Sequence, residues 1–259
     1  MRSMNTIATL LAVSGSLLFA ASLQSAESPP PVGTAAPLFD GTTLAGWEGS
    51  ALWRVQAGCL TGGSLEERVK HNDFLASTRD YTNFIVRFQI RLLGTNGFIN
   101  SGFQIRSQRV PNNSEMAGYQ CDYGEPGWYG CIYDESRRNK VISPSDMTTL
   151  RPALNPDVQG WNDYVIRADG PRITTWINGT LGTDFRETDA KIPDWGKFGI
   201  QVHGGGKALV QVRNIAIEEL PSAPSTEKFL GAPEPPALPD NTCSDRASAQ
   251  TSRIFEVSG

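Results

Sequence analysis

Residues 101–135, SGFQIRSQRVPNNSEMAGYQCDYGEPGWYGCIYDE, decide how the rest of the chain is read. Three short runs inside this stretch have a period of two. In SGFQIRS, Phe103 and Ile105 fall on one side of a strand and Gly102, Gln104 and Arg106 on the other. In AGYQCDY, Tyr119, Cys121 and Tyr123 oppose Gly118, Gln120 and Asp122, and in GCIYDE, Tyr133 and Glu135 oppose Ile132 and Asp134. Such alternation marks strands with one face in a core. A face turned only to water usually carries Lys, Glu and Thr. Here it carries amides, a guanidinium and a carboxylate, with glycines where something can approach the backbone. Planar amides both donate and accept hydrogen bonds, which suits a groove for polyhydroxylated molecules.

The same periodicity extends outward. LWRVQAGCLTG, FLASTRDYTNFIVRFQIRL, WNDYVIRADGPRITTWINGTLGTDF, WGKFGIQVHG and ALVQVRNIAIEEL all read as strands. Turn formers separate them: Gly62-Gly63, Gly94-Thr95-Asn96-Gly97, Asp169-Gly170-Pro171, Asn178-Gly179 and Gly204-Gly205-Gly206. Asn178-Gly179 between WI and TL signals a two-residue hairpin. Helix is expected only briefly, over residues 64–70 and 144–150, and no internal repeat is present. Many short strands with turns about every 8–12 residues predict an all-β fold. The alternation on the middle strands favours two stacked, curved antiparallel sheets in a jelly-roll sandwich.

Length and composition bound the rest. A chain of 259 residues that is 39% hydrophobic buries one substantial core. Residues 1–26 have one positive charge, a short apolar run and a small-x-small ending, the pattern of a secretory signal peptide cut near Ala26. The apolar run is too short for a membrane span. Residues 27–36 form a Pro-rich lead-in with no evident means of packing, and the folded domain is expected over residues 37–220. Residues 221–259 are rich in Pro, Ser and Ala and read as a disordered tail. Removing the leader removes Arg2 and takes the formal charge from −4 to −5. With no basic run, nucleic acid and anionic membranes are poor partners. Oligomeric state leaves no trace in the sequence. The four cysteines, Cys59, Cys121, Cys131 and Cys243, match no zinc spacing. An exported chain permits disulfides, and Cys121 and Cys131 flank the YGEPGWYG turn at a spacing suited to a cross-hairpin bond; buried free thiols are the competing reading.

Several segments in order resemble the 3-keto-disaccharide hydrolase domain family, also described as 3-keto-glucoside 1,2-lyases and 3-keto-2-hydroxyglucal hydratases. They are LFDGTTLAGWEG, SGFQIRSQ, GYQCDYGEPGWYGCIYDE, WNDYVIRADGPRITTWINGTLGTDF and FGIQVHGGGKALVQVRNIAIEEL, which together span about residues 37–220. No single one is decisive; their order is. The resemblance implies a concanavalin-like jelly roll in exported bacterial proteins that process sugars oxidised at C3. Cys121, Cys131 and the long C-terminal tail stand outside the family pattern.

A ketone at C3 of a glucoside acidifies the hydrogen on C2. A base that removes it forms an enolate, the C1–O bond then breaks by elimination, and water added back completes a net hydrolysis. The route needs a base, an electrophile for the enolate oxygen and an acid for the leaving oxygen. Asp122 and Glu135 are the first choices for base or acid; turn caps or surface pairing with Arg106, Arg137 or Arg138 are the alternatives. Asp134 points opposite to Glu135, so one of the two is expected in solvent. His203, in phase with Gln201 and followed by three glycines, is the better placed of the two histidines and a further proton carrier; a turn-closing role competes. Arg106 reads as a fork for the enolate or a ring hydroxyl. Gln104, Gln120 and Gln201 read as hydroxyl binders, and Tyr133 shares their face. Trp128 and Tyr129 in the GEPGWYG turn are the stacking candidates, whereas Trp161 and Trp176 read as structural. HExxH, DxDxDG, GxSxG and Cys/His clusters are absent, so neither metal nor cofactor is expected. A sugar-binding jelly roll without catalysis is the competing reading of the same residues.

Overall fold

The structure, a computed structural model, describes residues 27–221. The expected signal peptide and C-terminal tail, with Cys243, lie outside the described residues.

Each alternating run becomes a strand, and two antiparallel sheets stack face to face. The first follows the order β13 (Thr180–Arg186), β12 (Arg172–Ile177), β11 (Asn162–Asp169), β6 (Phe84–Gly97), β15 (Gly206–Glu219), β4 (Cys59–Gly63), β3 (Trp53–Gln56), with the short β1 (Ala36–Pro37) beside β15. The second runs β10 (Val141–Ser143), β9 (Ile132–Glu135), β8 (Met116–Gly124), β7 (Asn100–Arg109), β14 (Gly196–Val202), β5 (Asp73–Tyr81), β2 (Trp47–Glu48). The Asn178-Gly179 hairpin forms as its sequence dictates, with φ of 49° and 80° at its two central residues.

Between the sheets lies the core. Phe103, Ile105, Tyr119, Cys121, Ile132, Phe198 and Ile200 project inward from the second sheet and meet Val86, Phe88, Ile90, Tyr164 and Ile166 from the first. Phe88 stacks on Phe103 at 4.4 Å and on Tyr164 at 5.3 Å, joining the layers through aromatic contacts. The inward half of the alternation thus behaves as read.

Three expectations change. Residues 64–70 form no helix; the Ser64 hydroxyl accepts from the Glu66 and Glu67 amides in a tight turn instead. The other expected helix shrinks to α1 (Met147–Leu150), N-capped by Asp146 and followed by a 3₁₀ turn at Arg151–Ala153. The Pro-rich lead-in does pack, because its carbonyls are acceptors even where its side chains offer nothing. Arg87 donates to the carbonyls of Pro30 and Pro31, and the Trp176 indole donates to that of Glu27. Cys59, Cys121 and Cys131 are buried free thiols, so the free-thiol reading holds over the cross-hairpin bond.

Candidate active site

The site lies on the outward face of the second sheet. The register places Gln104 opposite Gln120, Gly102 opposite both Asp122 and Gln201, and Gly118 opposite Glu135. Residues of matching phase on β14, β7, β8 and β9 therefore share one surface. Phe98, Asn100, Gln120, Asp122, Trp128, Tyr133, Glu135 and His203 line a hollow of about 290 Å³, counting its open mouth. All three predicted catalytic residues are among them.

Beneath the hollow runs a directed chain of amides. The Ser107 hydroxyl donates to Gln104 Oε1, and Gln104 Nε2 donates to Gln120 Oε1 at 3.3 Å. Gln120 Nε2 donates to Asp122 Oδ1 at 2.9 Å and to Gln201 Oε1 at 3.1 Å. Gln201 Nε2 in turn reaches Glu135 Oε2 at 3.4 Å. Gln104 and Gln201 are fully buried, so neither lines the hollow; they hold Gln120 and Glu135 from behind. Each amide has a donor and an acceptor use, which matters because an unsatisfied buried polar group costs about 1–3 kcal/mol.

Asp122 is fixed by both layers. The Tyr164 hydroxyl, from the first sheet, donates to its carbonyl at 3.2 Å, as does the Gly130 amide at 3.0 Å. The Cys131 thiol lies 3.7 Å from Asp122 Oδ2. Burial pushes the Asp122 carboxyl well above the ordinary carboxylate range; the Gln120 hydrogen bond opposes this, and the charge of Glu135 adds to it. His203 stands across β7 from Asp122. Its Nδ1 lies 2.6 Å from the Gly204 carbonyl oxygen, a contact in which Nδ1 must carry the proton, so the neutral ring has its lone pair on Nε2. Phe98 packs edge-on against the imidazole at 4.6 Å, and Trp128 meets Tyr133 edge-on at 6.3 Å.

Arg106 is the clear departure. Ile105 pairs with Tyr119 and Gln108 with Ala117, so Arg106 and Ser107 together oppose the single residue Gly118. This bulge, with Arg106 at φ 47°, hands the outward place to Ser107 and aims Arg106 elsewhere. Its guanidinium donates to the carbonyls of Thr82 and Gly170 and to Asn83 Oδ1, closing two loops at the sandwich end. It holds no sugar. Asp134 also departs from expectation. Rather than facing solvent it is fully buried, ion-paired with Arg137 and Arg138, and Arg138 continues to Glu187. Tyr129 is core, edge-on to Tyr123 at 4.9 Å, which leaves Trp128 as the aromatic wall from that turn. Trp176 is buried, and Trp161 lies against Arg91 and Arg213.

Sequence reasoning passed over Asn100 and Phe98. The phase of Gly102 and Gln104 carried back one step reaches Asn100, so that signal was present. Phe98 sits between β6 and β7, where no periodicity applies. Among the described residues no group of three or more His, Cys, Asp or Glu is clustered to hold a metal ion, and no helix is long and apolar enough to cross a membrane.

No curated protein matches the chain. The fold is similar to that of a candidate glycosyl hydrolase from Parabacteroides distasonis, at 21% identity and TM-score 0.55 over 72% of this chain and 94% of that one. It is also similar to the carbohydrate binding module CBM66 from Bacillus subtilis, at 18% identity and TM-score 0.50 over 67% and 96% of the two chains. At these identities the likeness speaks for the fold. The model of the 3-keto-alpha-glucoside-1,2-lyase-like domain matches residues 34–218, nearly everything the sandwich contains. The chain belongs to that family and is a carbohydrate-processing enzyme.

Proposed function

We propose that this enzyme cleaves 3-keto-α-glucosides by elimination across C1 and C2, followed by hydration, after export from the cell. In the chair form of such a sugar the C2 hydrogen is axial on one face and the α-linked C1 oxygen axial on the other. Base and acid must then reach the ring from opposite sides. His203, just beyond β14, and Asp122, on β8, approach the hollow from strands separated by β7.

His203 Nε2 takes the C2 proton, and the electron pair moves into the C1–C2 bond as the C1–O bond breaks. The Asp122 carboxyl gives its proton to the departing oxygen. Addition of water reverses the roles: Asp122 accepts a proton from water attacking C1, and the imidazolium returns one to C2. Burial, with the charge of Glu135 added, keeps the Asp122 proton in place, the Asn100 side chain hydrogen-bonds the Asp122 carboxyl, and Tyr133 lines the hollow beside them. The observation that carries this reading is the convergence of Asp122, Glu135 and His203, from separate strands, on one hollow, where burial pushes the Asp122 carboxyl toward its acid form. A module that only holds sugar has no use for it.

The test is incubation with methyl 3-keto-α-glucoside and its unoxidised parent in deuterated water. Methanol release from the ketone alone, with deuterium at C2 of the product, is expected. Release without C2 deuterium, or turnover of the parent sugar, overturns the elimination. His203→Gln should lower both release and C2 exchange by about 10²–10⁴-fold.

A further inference from the structure

The outward face of the first sheet has the core between it and the hollow, yet it too is built from amides and guanidiniums. Register sets out two rows. In one, Arg54 on β3, Thr61 on β4, Gln211 on β15 and Arg91 on β6 stand side by side, and Trp161, just before β11, continues the row. In the next, Arg213 pairs with Gln89 and Gln89 with Asp163.

Two of the guanidiniums are held in place. Arg91 and Arg213 both lie over the Trp161 ring, their Cζ atoms 4.7 Å and 4.0 Å from its centroid. Each spends its Nε on a glutamine: Arg91 donates to Gln211 Oε1 and Arg213 to Gln89 Oε1, both at 2.8 Å. The amides are fixed in turn, Gln211 Nε2 donating to Thr61 Oγ1 at 3.2 Å and Gln89 Nε2 to Asp163 Oδ1 at 2.9 Å. The terminal nitrogens of both forks are thereby left for a partner beyond the sheet. Arg54 is exposed and bonds only to neutral groups, Gln56 Oε1 and the carbonyls of Leu52 and Gly63.

Among the described residues none of these three arginines is ion-paired, although the chain carries a formal charge of −4. Elsewhere on the same sheet Arg167 has Asp169 and Arg172 has Asp184. Like charges set side by side repel, and an anion laid across them removes that cost.

We propose that this face is a second binding site, for an anionic polysaccharide whose oxyanions are carboxylates or sulfates. The forks match those oxyanions, and the amides between them match hydroxyls. The spread of arginines over β3, β15 and β6 suits a repeating polymer better than one small ion. Binding here holds the enzyme on an acidic glycan and leaves the hollow open. Nothing in it depends on the proposed elimination.

The test is calorimetric titration of the full-length protein with polygalacturonate, dextran sulfate and uncharged dextran at about 0.15 M salt. One polyanion or both should bind, more weakly as salt rises, and uncharged dextran at least about tenfold more weakly. An Arg91→Gln/Arg213→Gln variant should lose at least about tenfold in affinity with its circular dichroism spectrum unchanged. Exposed Arg54→Gln, which leaves the packed part of the face alone, should lose a smaller factor. An Arg167→Gln/Arg172→Gln control gives up the same charge from the same sheet and should bind as the wild type does. Absence of binding to both polyanions overturns the proposal, as do equal losses in the two double variants. Tighter binding to vesicles rich in phosphatidylglycerol than to either polyanion overturns it as well, in favour of a membrane.

Discussion

Gln120 folds across Gly102: its Cγ lies 2.5 Å from where a Cβ on residue 102 would stand. The amide reaches Gln201 on β14 only because β7 has no side chain at that point. The Gly102→Ala variant should therefore lift Gln120 away from both Asp122 and Gln201. Turnover is expected to fall by about 10²-fold, as for misplacement of a catalytic group by an ångström, with the fold retained. Steady-state kinetics with a circular dichroism control checks this; normal kcat in the variant would mean the amide chain does not position the site.

Replacing Asp122 by Asn removes the acid but keeps the shape. Activity should drop by about 10²–10⁴-fold. Stability should move the other way with pH. Because the folded-state pKa of Asp122 is raised, its stability contribution is complete below the unfolded carboxylate value of about 3.9 and is lost as pH rises toward the folded value. Melting temperatures of the wild type should decline over that range relative to Asp122→Asn. Parallel curves for the two proteins would contradict a retained proton.

Arg106 closes loops and does not line the hollow, so Arg106→Ala should cost stability, not affinity. Loss of its donors leaves the carbonyls of Thr82 and Gly170 and the Asn83 side chain without this partner, about 2–4 kcal/mol by denaturant titration. At a temperature where the variant is folded, KM should match the wild type. A raised KM would return Arg106 to the site.

Glu187 ties the end of the sandwich together, accepting from Arg138 and from the Tyr119 hydroxyl, both at 2.7 Å. Burial works against its charge, but these hydrogen bonds, with that from the Asp189 amide, outweigh burial and lower its pKa to about 2. A depressed carboxylate gives stability that is full above the unfolded value of about 4.3 and is lost as pH falls through the folded one. Glu187→Gln should therefore be less stable than the wild type at neutral pH, and the gap should shrink between about pH 4 and pH 2. Acid-titrated unfolding of both proteins measures it.

The alternating runs by themselves determined the strands, the sandwich and the face on which Gln104, Gln120, Asp122, Glu135, Gln201 and His203 would lie, because a period of two is a local property of extended backbone. The Asn178-Gly179 turn was equally local. What the period leaves open is how far a side chain reaches and what covers it. The same phase put Gln104 and Gln201 under the site and Gln120 in it, a difference made by Gly102 and by neighbouring strands. One inserted residue turned Arg106 from the groove to the sandwich end, and no pattern in SGFQIRSQ announces that insertion. Phe98 entered from a loop. Those outcomes depend on contacts between strands far apart in the chain, so only the packed sheets could decide them.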